Sequence, residues 1–171
     1  MNRRGFLSAM ALFTLSGCTS ESNRDCPNLS DRLTTYCNEP SSTRPYIHSK
    51  SENYSLTDSP SFTIINNSFE SIRFGPEFPG RGLAKRTEDG WKLIDDSFTG
   101  SSAQKLERGE SWSWKVEIGY SGEFENTVIP INKNEISPGE YAFYVQINSG
   151  LLGRRIIAKT FEFNNTTPTL K

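Results

Sequence analysis

The sequence predicts an all-β protein, an antiparallel β-sandwich of seven or more strands. Three observations support this prediction. Several segments alternate between apolar and polar residues with the period of two that is typical of a half-buried strand. Short runs of Gly, Pro, Asn and Asp separate these segments, and no segment combines a helical period with a cap and a stop. Two sheets would pack face to face about 10 Å apart, and a closed barrel is the alternative architecture.

The first 17 residues of the chain have the composition of a signal peptide. Arg3 and Arg4 precede the apolar run Phe6–Gly17, which is too short to span a bilayer, because a spanning helix needs about 20 apolar residues. Cys18 follows two small residues, which resembles the lipobox of prokaryotic lipoproteins, and the arginine pair resembles a twin-arginine export signal. The resemblance implies cleavage before Cys18 and acylation of its thiol. A degenerate membrane anchor is the alternative.

This signal would place the mature chain outside the cytoplasm, anchored to the cell membrane by lipid. Removal of residues 1–17 leaves 17 basic and 20 acidic side chains, a balance of −3 (17 − 20). No block of like charge exceeds two residues, whereas nucleic acid or an anionic membrane surface requires a concentrated basic face. The sequence therefore argues against both as the main partner. The expected contacts are the membrane, through the lipid on Cys18, and a protein of the cell envelope.

The cysteines are consistent with this location. Acylation would occupy Cys18 and leave Cys26 and Cys37, which outside the cytoplasm predict a disulfide. Closing so short a loop would stabilise the fold by about 2–3 kcal/mol. The alternative is a two-cysteine metal site, which would need further ligands, and the chain has a single histidine, His48. We therefore expect no metal and no cofactor.

Residues 18–53 are rich in Ser, Thr, Asn, Asp and Pro and have almost no apolar periodicity. Such a stretch buries too little surface to offset its ordering entropy, so the sequence predicts a tether bridged locally by Cys26 and Cys37. The sandwich is expected over residues 54–164 and a disordered tail over 165–171. Glycosylation sequons, which in most prokaryotes occur by chance, begin at Asn28, Asn53, Asn66, Asn164 and Asn165.

The strand pattern becomes clear from Ser61–Asn66 onwards. Shorter candidates follow near Ser71–Phe74, Leu83–Thr87, Trp91–Ile94 and Gln104–Glu107. Three later strands alternate most regularly, and their expected core residues are Trp112, Trp114, Val116 and Ile118, then Tyr141, Phe143, Val145 and Ile147, and finally Ile157, Phe161 and Phe163, around Lys159.

One turn motif occurs twice, in Leu106–Trp112 and Ile136–Tyr141. In each copy Arg or Pro precedes Gly-Glu, and a strand with an aromatic residue follows. Gly at the third position suits a type II turn, because only Gly takes a positive φ there freely. Each copy is expected to turn the chain tightly into a core strand.

The order of these elements resembles the immunoglobulin-like domains of secreted lipoproteins of bacteria and archaea. It is more distantly similar to the intracellular proteinase inhibitor family. The resemblance covers residues 54–164 and is based on Phe62–Ser68, Lys85–Ile94, Leu106, Gly109–Ser111 and Ser137–Tyr141. It implies an immunoglobulin-like β-sandwich, in which Glu88-Asp89-Gly90-Trp91 forms a hairpin turn. It assigns no functional residue, since a sandwich hosts many roles.

No catalytic constellation is visible in the sequence. His48 lies in a polar segment, where a lone histidine is usually solvated. Asp95 and Asp96 would point to opposite faces of a strand and would not share a site. Glu123 and Glu125 would share a face and could bind a cation, and a solvated loop is the alternative for this pair. The chain is therefore predicted not to be an enzyme.

The function expected instead is that of a binding or adhesion module, with an accessory subunit of an envelope complex or a protease-inhibitor-like domain as alternatives. The predicted partner contact is the tip of the last hairpin. Leu151 and Leu152 lie between turn glycines there, and Arg154 and Arg155 follow them. One interpretation makes this an exposed apolar spot with a basic rim. The other packs one leucine under the edge of the sandwich.

Overall fold

β-strands account for nearly all regular structure in the described part of the chain. The computed structural model describes residues 26–37, 39–75, 80–95, 103–120 and 127–165. The 3₁₀ turn Lys133–Glu135 precedes β11. The strands are β1 (Thr35–Cys37), β2 (Tyr46–Ser49), β3 (Asn53–Ser55), β4 (Ser61–Ile65), β5 (Ile72–Phe74), β6 (Arg81–Thr87), β7 (Gly90–Asp95), β8 (Gln104–Leu106), β9 (Ser111–Ile118), β10 (Val128–Ile131), β11 (Gly139–Ser149) and β12 (Gly153–Asn164).

The strands form two sheets that pack on each other. In the large sheet β11 pairs with β12, and β5 and β6 follow one another along the other side of β11. β7 extends this sheet beyond β6, and β8 extends it beyond β5. The small sheet has the order β2-β4-β9-β10. The predicted all-β sandwich is confirmed, and the described strands do not close into one barrel.

The sheets are mixed, whereas only antiparallel pairing was predicted. β1 and β3 run parallel to β12, and β10 runs parallel to β9. Before β5 the chain alternates between the sheets, because β1 and β3 belong to the large sheet and β2 and β4 to the small one. No hairpin joins β1 or β3 to β12, so nothing enforces antiparallel pairing there. This reason does not apply to β10, which follows β9 in the same sheet.

The core lies between the sheets and is strongly aromatic. Phe62 and Phe143 stack with ring centroids 4.6 Å apart, and Trp114 lies against Phe143 at 5.7 Å. The predicted burial of Trp114, Val116, Phe143 and Val145 is confirmed. Trp112 is only partly buried, because it lies near the end of the sandwich, where its ring meets the edge of the core at Phe74.

The tether prediction is wrong for the described residues of 26–53. β1, β2 and the first residue of β3 lie in this range and are paired with the two sheets. Leu29, Leu33 and Cys37 also pack on the outer face of the large sheet, against a small apolar cluster made by Tyr144, Ile156 and Ala158. Isolated apolar residues give no periodicity, yet each of them covers apolar surface on strands that are distant in sequence.

The predicted disulfide is confirmed and closes this folded segment. Cys26 and Cys37 are bonded, with their Cα atoms 5.7 Å apart. Cys37 is the last residue of β1 and lies opposite Ala158 of β12. The bond therefore closes the N-terminal part of the described chain at the edge of the large sheet, beside the middle of β12. Residues 18–25 of the range predicted as a tether lie outside the described residues.

A buried lysine interrupts the core-facing row of β12. Lys159 lies opposite Phe143 and is 8% exposed, and its Nζ lies 2.5 Å from the Glu52 carboxylate at the sheet edge. The hydrogen bond and charge of Lys159 hold the pKa of the exposed Glu52 below its usual value. Because that pKa is lowered, the small stabilisation from this pair is lost as the pH falls through it.

The two Gly-Glu turns have different structures. In the first, Gly109 has a φ of +84° and the amide of Glu110 donates to the Glu107 carbonyl at 3.1 Å, as a type II turn requires. In the second, the buried Tyr141 holds the approach to β11. Its hydroxyl donates to the carbonyl of Ser137 at 2.6 Å and accepts from the amide of Ser137 at 3.1 Å.

Candidate functional site

Three connections lie at one end of the sandwich, which we call the loop end, beside the stretch 39–45 that leads into β2. They are residues 66–71 between β4 and β5, residues 107–110 between β8 and β9, and residues 150–152 between β11 and β12. We call the opposite end, where residues 56–60, 88–89 and 132–138 connect the strands, the corner end. The predicted partner contact lies at the loop end.

A buried asparagine joins the first two connections. Asn66 is 0% exposed, and its side-chain nitrogen donates to the carbonyls of Glu70 at 2.8 Å and Leu106 at 3.0 Å. Its side-chain oxygen accepts from the amide and the hydroxyl of Ser68 at 3.0 and 2.6 Å. All of its hydrogen-bonding capacity is used within the fold, so the sequon at Asn66 is closed to modification in the folded protein.

Glu70 joins the first connection to the third. Its two carboxylate oxygens lie 2.8 and 3.1 Å from the backbone nitrogen of Leu151, at the tip of the last hairpin. The approach is close, because a Cβ atom on Gly150 would lie 2.9 Å from one of these oxygens. Gly150 therefore permits the contact, and the tip is held to the neighbouring connection.

Large apolar side chains project from this hydrogen-bonded framework. Leu151 is 86% exposed and Phe69 is 71% exposed. The guanidinium of Arg108, from the second connection, lies 4.5 Å above the ring of Phe69. Each of the three connections thus contributes a side chain to this end, and the two exposed apolar side chains stand beside polar and basic residues.

The two predicted leucines have different environments. Leu151 points outward, whereas Leu152 is half-buried and its amide donates to the Ser149 hydroxyl at 3.1 Å. The interpretation as an exposed apolar residue therefore fits Leu151, and the interpretation as a residue packed at the edge of the sandwich fits Leu152. Whether the tip contacts a partner stays a prediction.

The two predicted arginines also separate. Arg154 is exposed, and its guanidinium donates to the side-chain oxygen of Gln146 at 2.6 and 3.0 Å once that amide is oriented to accept. Arg155 is half-buried, and its guanidinium donates to the Arg154 carbonyl at 2.8 Å. They form no continuous rim around the leucines, because successive side chains of a strand point to opposite faces.

Basic residues that are far apart in the sequence are aligned beside the tip. Arg154 lies opposite Asn148, Asn148 lies opposite Arg73, and Arg73 lies opposite Lys105. Directly opposed residues share a face, so three cations cross four adjacent strands on one face of the large sheet. Lys105 also pairs with Glu107, with their charged atoms 2.5 Å apart.

Sequence reasoning missed Phe69, Glu70, Arg73 and Arg108. A signal existed for Phe69, since it is a large aromatic residue within the Asn- and Ser-rich connection that follows β4. The sequence contains no comparable signal for the others, because their importance comes from connections that meet only in the folded chain.

The other polar candidates do not form a site in the described residues. His48 is exposed on β2, opposite Thr63, and no group of three His, Cys, Asp or Glu side chains that could hold a metal occurs in the described ranges. The side chain of Asp95, and Asp96, Glu123 and Glu125, lie outside the described residues. The candidate lipidation site Cys18 lies outside them as well.

A groove of about 450 Å³ at the corner end is lined partly by Asp58, Ile118 and Lys133. The Asp58 carboxylate accepts from the amide of Ser55 at 2.7 Å and so has a local structural role. This groove offers no paired acid and base.

The chain matches no protein-family model, and no curated protein sequence is significantly similar to it. Among the described residues, no helix is long and apolar enough to cross a membrane.

Proposed function

We propose that this is a lipid-anchored extracytoplasmic protein whose immunoglobulin-like domain is a non-catalytic binding module, with the loop end as its contact surface. The observation that supports this most directly is the exposure of Phe69 and Leu151 on connections that are hydrogen-bonded to each other. A surface held in place before contact loses little conformational entropy on binding.

Two features support the immunoglobulin-like assignment. Tyr141 stands at the start of the penultimate strand, and its hydroxyl is bonded to the backbone four residues upstream. This is the arrangement called a tyrosine corner in immunoglobulin-like sandwiches. In addition, the chain crosses from one sheet to the other between β4 and β5, between β8 and β9 and between β10 and β11, as it does in an immunoglobulin-like sandwich.

The Cys26–Cys37 disulfide supports a location outside the cytoplasm, because such bonds persist in oxidising compartments. The lipobox resemblance at Cys18 supports the anchor. Mass spectrometry of the mature N-terminus tests it directly. We expect an acylated Cys18 as the first residue and release of folded protein from the membrane by Cys18→Ala. An intact Met1 in the membrane-bound form would contradict the anchor.

The polar side chains at the loop end favour binding over catalysis. Asn66, Glu70 and Glu110 are each engaged with backbone amides or carbonyls of the connections. These groups therefore maintain the shape of the surface, and none of them is paired as a nucleophile with a base, which hydrolytic chemistry would require.

A photo-crosslinking residue placed at position 151 in intact cells tests the contact surface. Position 93 is the matched control, because Leu93 is also exposed, at 38%, but lies on β7 away from the loop end. We expect an adduct from position 151 and none from position 93. A stoichiometric protein adduct would favour the accessory-subunit alternative, and equal labelling from both positions would overturn the proposed contact surface.

A further inference from the structure

The two ends of the sandwich differ in charge. The charges of each end are counted over the three connections named above and two flanking residues on each side of them. The loop end then has four basic and three acidic side chains, a balance of +1 (4 − 3), namely Arg73, Lys105, Arg108 and Arg154 against Glu70, Glu107 and Glu110. The corner end has two basic and five acidic side chains, a balance of −3 (2 − 5), namely Arg86 and Lys133 against Asp58, Glu88, Asp89, Glu135 and Glu140.

The acidic side chains of the loop end are engaged within the fold. Glu70 accepts from the amide of Leu151, Glu107 pairs with Lys105, and Glu110 accepts from the amide of Glu107. Arg73 and Arg154 are exposed beside them. On the row Arg154-Asn148-Arg73-Lys105 an approaching anion therefore meets Arg73 and Arg154, because Lys105 is paired with Glu107. The sheet register thus places basic side chains side by side on neighbouring strands, although the sequence has no long basic block.

The chain length between the proposed anchor and the fold limits how far the loop end can lie from the membrane. Eight residues separate Cys18 from Cys26 (26 − 18), and they span at most about 29 Å when fully extended. Cys26 is bonded to Cys37, which lies opposite Ala158, five residues from the start of β12. Five strand residues measure about 17 Å. The anchor therefore reaches the level of the hairpin tip.

We propose that the loop end docks on the anionic surface of the membrane that holds the anchor. Phe69 and Leu151 enter the headgroup layer, while Arg73 and Arg154 contact anionic headgroups. A soluble polyanion would match the cations alone, whereas a bilayer also matches the exposed aromatic and aliphatic side chains. The inference rests on the proposed acylation of Cys18 and names the partner of the proposed contact surface.

A polarity-sensitive fluorophore on Leu151→Cys tests this docking in the full acylated protein, reconstituted into vesicles of phosphatidylcholine with or without phosphatidylglycerol. The same probe on Asp89→Cys reports on the corner end. We expect quenching by nitroxide-labelled lipid at position 151 alone, only with phosphatidylglycerol present, and reversed by salt, which screens the charges. Replacing both Arg73 and Arg154 by Gln should lower the ratio of docked to undocked protein about five-fold for each arginine.

The matched control for this double variant is Arg86→Gln with Lys133→Gln, which removes two exposed cations from the corner end and should leave the quenching at position 151 unchanged. If mass spectrometry verifies the acyl group but the probe at position 151 remains in an aqueous environment, the docking proposal is overturned and the proposed anchor is not. A protein adduct from position 151 in cells would do the same and leave the proposed contact surface standing. The absence of an acyl group would overturn the anchor, and the docking with it.

Discussion

The two ends of the sandwich use different chemistry to hold their connections. At the corner end one aromatic residue, Tyr141, buries its ring in the core and bonds its hydroxyl to the backbone of Ser137. At the loop end the buried amide of Asn66 and the carboxylate of Glu70 bridge connections that belong to different strand pairs. Large apolar side chains project into solvent at the loop end, at Phe69 and Leu151.

This difference shows how a fold can order a binding surface without burying it. At the corner end the residue that holds the backbone, Tyr141, buries its own aromatic ring in the core. At the loop end polar side chains hold the backbone, and the neighbouring apolar side chains stay exposed to solvent. The loop end depends more heavily on hydrogen bonds, so its stability should respond more strongly to the loss of one polar group.

The largest expected effect is that of Asn66→Ala. The change leaves the Leu106 carbonyl and the Ser68 amide without this side-chain partner, and it removes one of the two donors of the Glu70 carbonyl. Each buried group that is left unsatisfied is costly. We expect a loss of about 3 kcal/mol in the free energy of unfolding, measured by urea denaturation. A loss below about 1 kcal/mol would mean that water replaces the amide and that this end is not held as described.

The disulfide segment runs beside β12, between the two ends, and gives the next largest effect. Replacing both Cys26 and Cys37 by Ser should lower the free energy of unfolding by about 2–3 kcal/mol, because the short loop is no longer closed in the unfolded chain. Thermal unfolding of the double variant checks this. An unchanged melting temperature would restore the interpretation of this segment as a tether.

Tyr141→Phe tests the corner end. The ring remains to fill the core, and only the hydroxyl bonds to Ser137 are lost. The expected cost is about 1–1.5 kcal/mol, smaller than for Asn66→Ala, because fewer buried groups lose a partner. Chemical denaturation of both variants in parallel gives the comparison. A larger loss for Tyr141→Phe than for Asn66→Ala would contradict the proposed difference between the ends.

Glu70→Ala should cost about 0.5–1 kcal/mol, because the partly exposed amide of Leu151 loses a charged acceptor but gains water. Its matched control is Glu140→Ala at the corner end. Glu140 pairs with Arg86 on the surface at 3.0 Å, so this change should cost less than about 0.5 kcal/mol. Hydrogen exchange of the Leu151 amide should accelerate in the first variant and stay unchanged in the second.

The smallest effect on stability is expected for Leu151→Ser. Since this side chain is 86% exposed, the free energy of unfolding should stay within about 0.5 kcal/mol of the original value. Leu152→Ser is the control and should cost more, because Leu152 is half-buried. Equal losses for both leucines would show that the tip packs on the sandwich and is not available for contact.

Part of this architecture is visible in the sequence because it depends on local patterns. The alternation of Trp114 and Val116 with Ser113 and Lys115 fixes which side chains of β9 face the core, whatever its partners are. The hairpin of β6 and β7 was predicted from Glu88-Asp89-Gly90-Trp91, and Thr87 indeed pairs with Gly90. The disulfide followed from the number of cysteines.

Tertiary structure alone decided the rest. The polar composition of residues 26–53 predicted a tether, but sparse apolar residues such as Leu29 and Leu33 are enough when another sheet provides the matching surface. The candidate site depends on the same kind of distant contact. Phe69 and Leu151 share one surface, and Arg73 and Arg154 one row, only because β5, β11 and β12 are neighbours in a particular register. A period of two determines the face of each residue, whereas the neighbours of each strand depend on the packing of the whole chain.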